Sequence, residues 1–154
     1  MFNVVLFEPE IPPNTGNIIR LCANIGASLH LIKPLGFELD DKKLRRAGLD
    51  YREFVDIRLH NTYSAFLASV GASRIFACST RGKKYYSEAR FRDGDSFLFG
   101  PETRGLPAQL LNAMDQAHII RLPMRPDSRS LNLSNAVSTI LYEAWRQNDF
   151  KGVE

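Results

Sequence analysis

Short apolar runs alternate with longer amphipathic stretches along most of this chain. Six runs rich in β-formers have the length of buried strands, at 2–7, 28–32, 55–59, 74–78, 96–99 and 117–122. Helical periodicity follows most of them, at about 15–25, 62–70, 107–113 and from 134 onward. This alternation predicts an α/β fold with a Rossmann-like, mostly parallel sheet.

The first predicted helix, from about Thr15 to Ile25 with Gly26 as its stop, has two distinct faces. Its apolar face consists of Ile18, Leu21, Cys22 and Ile25. Arg20 lies opposite that face, between Asn17 and Asn24. A short, amide-rich polar face of this kind favours contact with a partner chain or a ligand, although a solvated arginine explains it as well.

The last predicted helix begins near Ser134, with either Asn132 or Ser134 as its cap. One apolar stripe runs along it, formed by Ala136, Val137, Ile140, Leu141, Ala144 and Trp145. Before it, Pro123 and Pro126 interrupt regular structure, and residues 127–130 lead to the positive end of the helix. Such a loop suits a polar or anionic ligand, or is an ordinary capped helix entry.

Basic residues concentrate in two segments outside the predicted core. The first is a short helix predicted over 40–49, which carries Lys42, Lys43, Arg45 and Arg46. The second is the loop after Cys78, which mixes basic and aromatic residues, namely Arg81, Lys83, Lys84, Arg90, Arg92, Tyr85, Tyr86 and Phe91. Positive charge and stacking surface suit phosphates and single-stranded RNA. The alternatives are a solvated helix and a loop whose aromatic rings pack onto the core.

Composition describes an ordinary globular protein with a mildly basic balance. The 154 residues carry a net charge of +3, and 44% are hydrophobic, which predicts one domain over 1–154. Only Cys22 and Cys78 are present, in apolar segments, so a disulfide framework is not expected. No transmembrane run or basic signal-peptide region is evident. We therefore expect a cytoplasmic protein.

The motifs of several common enzyme classes are missing from the sequence. Neither a Walker sequence nor a G-x-G-x-x-G fingerprint follows any predicted strand, and His30, His60 and His118 lack metal-ligand spacing, so no metal is expected. Ligands of open α/β sheets bind at the carboxyl ends of strands. The strands that end at Cys78, Gly100 and Leu122 each lead into an unusual loop, and these three loops are the predicted pocket.

Three segments in order resemble the SpoU, or TrmH-like, branch of the SPOUT RNA methyltransferases. They are NTGNIIR, with Asn14, Gly16 and Arg20 at the motif positions; LFGPETRGLP at 98–107; and SRSLNLSNAVS at 128–138. Each is weak alone, but their combination and spacing are specific. We expect a single methyltransferase domain with no separate RNA-binding domain; this, together with the segment IPPNTGNIIRLCANIG, looks most like the small YibK- or TrmL-type enzymes of this family.

The resemblance implies S-adenosylmethionine as methyl donor, a C-terminal deep trefoil knot and a homodimer with the active site at the subunit interface. The implied reaction is 2′-O-methylation of the wobble nucleotide, cytidine or uridine 34, in the anticodon stem-loop of tRNA-Leu type substrates. It implies that Arg20 reaches the partner's pocket, with Tyr142 and Trp145 in the interface. The implied catalytic set is Arg20, Asn14, Glu102, Ser130 and Asn132.

The same resemblance assigns residues to the two ligands. Backbone groups of Cys78, Gly100 and Leu122 would hold the adenosine, with Ser130 and Leu131 closing over it. The full implied cofactor set is Cys78, Ser79, Thr80, Gly100, Glu102, Ile120, Leu122, Pro123, Met124, Ser130 and Leu131. The implied RNA-binding set is Arg20, Lys42, Arg45, Arg46, Arg81, Lys83 and Arg129.

Three other functions remain compatible with the residues. The cofactor motifs cannot separate the wobble nucleotide from another tRNA position or a ribosomal RNA site. A non-catalytic RNA-binding protein could retain the fold, although the intact set of Asn14, Arg20, Glu102, Ser130 and Asn132 argues against it. A generic nucleotide-binding α/β domain rests on fold analogy alone.

Overall fold

A computed structural model describes residues 1–48, 55–128 and 131–153 of the chain. Its seven strands form one sheet in the order β3-β2-β1-β6-β4-β7-β5, and every neighbouring pair is parallel. The strands are β1 (Asn3–Phe7), β2 (Ser28–Ile32), β3 (Ile57–His60), β4 (Ile75–Cys78), β5 (Lys84–Tyr85), β6 (Ser96–Phe99) and β7 (Ile119–Arg121). The predicted α/β class and parallel sheet are therefore confirmed. The two-residue edge strand β5 was not predicted.

Five α-helices accompany the sheet in the described residues: α1 (Pro12–Ile25), α2 (Lys42–Gly48), α3 (Tyr63–Val70), α4 (Ala108–Asn112) and α5 (Leu133–Gln147). Helix α1 begins at Pro12, three residues before the predicted start at about Thr15, so the predicted start was wrong. Pro12 and Pro13 occupy its first turn, where the N–H groups that proline lacks have no intrahelical acceptor. Gly26 ends α1 in the left-handed conformation, with φ of 82°, as the sequence predicted.

Alternate residues of the central strands face two separate hydrophobic layers. In β1, Val4 and Leu6 pack in the layer that holds α1, α2 and α5, whereas Val5 faces α3 and α4. The α5 stripe lies in the first layer, with Ala136, Val137, Ile140, Leu141 and Ala144 buried and Trp145 partly buried. The parallel sheet is thus covered on both faces, which accounts for its continuous apolar strands.

The topology brings three strand ends together. Strand β4 lies between β6 and β7, and because all three run parallel, their carboxyl ends lie at one edge of the sheet. The loops that follow Cys78, Phe99 and Arg121 therefore begin side by side. The knot that the resemblance implies in this region remains a prediction.

In the basic loop between β4 and β6, some aromatic residues pack onto the core and one is exposed for stacking, so both predicted alternatives apply in part. Phe91 is buried in the core and Tyr86 packs against it, whereas Tyr85 is exposed. The guanidinium of Arg121 lies over the Tyr85 ring, 4.9 Å from its centroid. Most of the stacking surface expected for RNA is therefore used inside the protein, and Tyr85 supplies what faces outward.

Candidate active site

A cavity of about 610 Å³ opens at the carboxyl ends of β4, β6 and β7. Eight residues of the predicted cofactor set line it: Cys78, Ser79, Thr80, Gly100, Glu102, Leu122, Met124 and Leu131. Ile120 does not line it; this residue is buried, and its carbonyl accepts a 2.9 Å hydrogen bond from the Ser79 N–H. Pro123 is exposed and outside the lining, and Ser130 lies outside the described residues.

Several lining residues were not predicted for the cofactor. They come mostly from the segment 101–111 and from the start of α5, namely Arg81, Phe99, Pro101, Thr103, Arg104, Gly105, Leu106, Pro107, Ala108, Leu111, Arg121, Leu133 and Ala136. Leu106 and Leu111 are buried in one core cluster with Val5 and Leu98. Their apolar spacing carried no signal that one side of them faces a cavity.

The loop after β6 folds back tightly on itself. The Gly105 N–H donates a 2.9 Å hydrogen bond to the Pro101 carbonyl, and Gly105 has a φ of 68°. A Cβ added to Gly100 would lie 2.4 Å from the Gly105 carbonyl carbon and the Leu106 nitrogen. The glycine at position 100 is therefore required by a close backbone approach in the cavity wall.

Glu102 connects this loop to the amino end of α1. Its carboxylate accepts hydrogen bonds from the N–H groups of Glu10, at 2.8 Å, and Ile11, at 2.5 Å. Helix α1 has no side-chain cap of its own at Ile11. A carboxylate here interacts favourably with the helix dipole, so Glu102 acts as an anionic cap supplied from a distant loop.

Asn14 extends this network to α5. Its buried amide donates to Glu102 Oε2 at 3.4 Å, and its Oδ1 accepts from Asn132 Nδ2 at 3.1 Å. The Asn132 Oδ1 in turn accepts from the Ser134 and Asn135 N–H groups, at 3.0 and 3.3 Å, and caps α5. Three members of the predicted catalytic set thus form one hydrogen-bonded chain, in which each side chain helps to fix the next.

Arg20 lies outside the described cavity lining of its own chain. It lies on the exposed face of α1 with Asn17 and Asn24, as predicted. Helix α2, which packs against α1, exposes the predicted Lys42, Arg45 and Arg46. Arg81 lines the cavity and Lys83 is exposed, whereas Arg129 lies outside the described residues.

Neither cysteine is suited to chemistry. Burial raises the pKa of the Cys78 thiol to about 12, and it raises the pKa of the Cys22 thiol to about 12 as well. Thiols with such values stay protonated at neutral pH and are poor nucleophiles. No metal-ligand cluster occurs in the described ranges, and none of the described helices is long and apolar enough to cross a membrane.

The chain's relationship to known proteins agrees with this geometry. The model of the SpoU rRNA Methylase family matches residues 1–142, so the chain belongs to that family. It is also 59% identical over 152 residues to the tRNA (cytidine(34)-2′-O)-methyltransferase of Escherichia coli strain K12. That alignment covers 99% of this chain and 97% of the relative.

Two solved structures share the fold over nearly all of this chain. One, from work on the 2-OH methylation of C/U34 on tRNA, has a TM-score of 0.93 and 49% identity, and 98% of each chain is covered. Another is the SpoU methyltransferase AviRb from Streptomyces viridochromogenes in complex with AdoMet, with a TM-score of 0.87 and 25% identity. This chain is covered to 96% in that comparison and the AviRb chain to 60%.

Proposed function

We propose that this protein transfers a methyl group from S-adenosylmethionine to the ribose 2′-OH of nucleotide 34 of tRNA. The observation that carries the proposal is a full-length similarity to tRNA (cytidine(34)-2′-O)-methyltransferases, at 59% identity, in a chain whose motif segment 99–107 lines one cavity. A tRNA substrate favours a cytoplasmic location for the protein.

The cavity lining fits an adenosyl amino acid. Leu106, Leu111 and Leu133 give it an apolar side that suits a purine ring, and the Ser79 and Thr80 hydroxyls suit the ribose. The close approach around Gly100 brings backbone groups to the cavity wall. When bound, the cofactor supplies an activated methyl carbon on a sulfonium, so the protein's task is mainly to position the 2′-oxygen in line with it.

Arg20 is proposed to act by charge and not by accepting the proton. A guanidinium stays protonated in proteins and offers five donors in a fixed fork. We assign it to the phosphate next to the target ribose and to the negative charge that develops on the 2′-oxygen. When the cofactor is bound, the 2′-oxygen would take the methyl group from the sulfonium and lose its proton to that phosphate or to water, with Arg20 stabilising the charge that develops.

A homodimer would bring Arg20 to a cavity. Within one chain Arg20 is outside the cavity lining, so we propose that it serves the cavity of a second subunit. Tyr142, 43% exposed on α5, has its ring centroid 5.8 Å from that of Trp145 and offers an apolar surface for that contact. The exposed cations of α2 and the loop after β4, drawn from two subunits, would form one extended surface for tRNA.

Labelled methyl transfer tests the reaction and the substrate together. Total tRNA from a host lacking this protein would be incubated with labelled S-adenosylmethionine, and the labelled nucleotide would be mapped. We expect label on the 2′-oxygen of nucleotide 34. Label on ribosomal RNA instead, or at another tRNA position, would assign a different RNA, and bound cofactor without transfer to any RNA would contradict the proposal.

Substitution of Arg20 tests the assigned role. We expect Arg20→Ala and Arg20→Lys to lower kcat by about 100-fold or more while cofactor affinity is retained, since lysine lacks the bidentate fork. The neighbouring exposed Asn24→Ala is a matched control on the same helix face. An Arg20→Lys variant with near-normal turnover would rule out recognition through the guanidinium fork.

A further inference from the structure

Two carboxylates link the segment 10–11 to the loop after β6 through reciprocal hydrogen bonds. The Glu102 carboxylate accepts from the Glu10 and Ile11 N–H groups, and Glu10 Oε1 accepts from the Thr103 N–H at 3.0 Å and the Thr103 hydroxyl at 2.7 Å. Each segment thus supplies one carboxylate and donates hydrogen bonds to the carboxylate of the other. We call these four contacts the carboxylate clamp; it comprises Glu10, Ile11, Glu102 and Thr103.

The clamp joins the two parts of the site that must work together. On one side, Glu102 and Thr103 line the cavity. On the other side, Glu10 and Ile11 lead directly into α1, which carries Arg20. The Gly105–Pro101 hydrogen bond holds only the base of this turn. Thr103, at the tip of the loop, is held by its hydrogen bonds to Glu10.

The contacts of Glu10 point to Thr103 as its main partner. Hydrogen bonds from the Thr103 backbone and side chain lower the pKa of the Glu10 carboxyl, so it is ionised at neutral pH. Arg104 is a weaker partner, since its Nε lies 3.9 Å from Glu10 Oε2 and its side chain is 59% exposed. Arg104 also reaches Glu8, at 3.3 Å.

We propose that Glu10 is a positioning residue for methyl transfer, which acts through Thr103 to hold the cavity loop against the amino end of α1. This role rests on the proposed function, because it concerns the cofactor that the cavity would bind. Glu10 itself is outside the cavity lining in the described part of the chain. Its effect is therefore on the geometry of the loop and not on a contact with the reacting atoms.

The test compares three substitutions of Glu10 in the full chain. Glu10→Ala removes both acceptor bonds, Glu10→Asp shortens the side chain by one methylene, and Glu10→Gln keeps an oxygen that accepts from both Thr103 donors. Glu8→Gln is the matched control, because it weakens the Arg104 pair without touching Thr103. S-adenosylhomocysteine affinity by calorimetry, kcat and KM for tRNA, and the thermal midpoint would be measured for each.

We expect Glu10→Ala to weaken S-adenosylhomocysteine binding by about tenfold, since charge-assisted hydrogen bonds are lost. Its kcat should fall with little change in KM for tRNA, because RNA contacts are untouched. Glu10→Gln should recover affinity to within about threefold of wild type, and Glu10→Asp should not. In the Glu10→Ala background, Thr103→Val should lower the affinity little further, because Glu10→Ala has already removed the hydrogen bond of the Thr103 hydroxyl.

Two results would overturn this role. One is a Glu10→Ala variant that binds S-adenosylhomocysteine and turns over as the wild type does. The other is a Glu8→Gln variant as impaired as Glu10→Ala, which would assign the effect to Arg104. In both cases the wild type still binds and methylates, so the proposed function stands. A wild type that binds no S-adenosylhomocysteine would refute the proposed function itself.

Discussion

Two of the three loops that border the cavity, those after β6 and β7, are built in opposite ways. The loop after β6, residues 100–107, is held by its own turn, by the carboxylate clamp and by the close packing of Gly100. In the loop after β7, every residue from 123 to 128 is exposed, and the one internal backbone bond described there joins Ser128 N–H to the Arg125 carbonyl. We refer to them as the fixed wall and the exposed wall.

This difference predicts how each wall responds to change. The fixed wall gets its shape from contacts within the protein, so its substitutions should reduce folding stability and ligand affinity together. The exposed wall holds Met124 and Leu131, which are 42% and 45% exposed although both line the cavity. Their burial would come from a ligand or a second subunit, so substitutions there should affect affinity alone.

Gly100→Ala should give the largest effect, because the added Cβ meets backbone atoms that no rotamer change can move. We expect a loss of about 3 kcal/mol in unfolding free energy, measured in urea, and no detectable S-adenosylhomocysteine binding. Gly71→Ala is the control for backbone strain alone: its φ of 60° disfavours a side chain, but its Cβ would meet nothing within 4 Å, so it should lose stability and keep ligand affinity. Wild-type affinity in Gly100→Ala would mean that the wall is not fixed.

Glu102→Ala should come next in size. The substitution leaves the N–H groups of Glu10 and Ile11 without their acceptor and removes the charge that caps α1. We expect about 2 kcal/mol lower stability, together with weaker cofactor binding. Exposed Glu38→Ala should change neither quantity. Loss of affinity without loss of stability would instead assign Glu102 a direct ligand contact.

Acid should destabilise the protein far from both walls, at a buried histidine pair. His30 Nδ1 lies 2.9 Å from His60 Nε2. The pKa of His30 is lowered to about 4, mainly by desolvation and secondly by charge repulsion from His60. Because the folded pKa is below the unfolded value of 6.5, stability is full above pH 6.5 and falls as the pH drops towards 4. We expect a loss on the order of 1 kcal/mol at pH 5.

The histidine pair lies on β2 and β3, at the side of the sheet opposite β5 and away from the cavity. It therefore separates a loss of folding stability from any effect on the two walls. Urea unfolding from pH 7.5 to 4.5 would measure it, with His30→Gln and its neutral side chain as the reference. The pH dependence should be smaller in His30→Gln, and cofactor affinity of the folded protein should not follow the same curve. Equal slopes for both proteins would move the acid sensitivity to other groups.

The two walls also differ in how well the sequence predicts them. The exposed wall leads into α5, whose apolar stripe was predicted from periodicity and whose cap, Asn132, was one of two candidates. Both are local signals in the sequence. The clamp had no such signal, since Glu10 and Thr103 are 93 positions apart and look like ordinary surface residues. The edge strand β5 was missed because two residues are too few to show a period.

Met124→Ala should give the smallest change in stability, less than about 0.5 kcal/mol, since its side chain is already half in solvent. Affinity for S-adenosylhomocysteine should nevertheless fall by about threefold to tenfold, because a bound ligand would bury that side chain. Leu106→Ala is the matched change in the fixed wall, where the side chain is 9% exposed. It should cost about 2 to 3 kcal/mol of stability as well as affinity. Equal losses of stability in the two variants would remove the distinction between the walls.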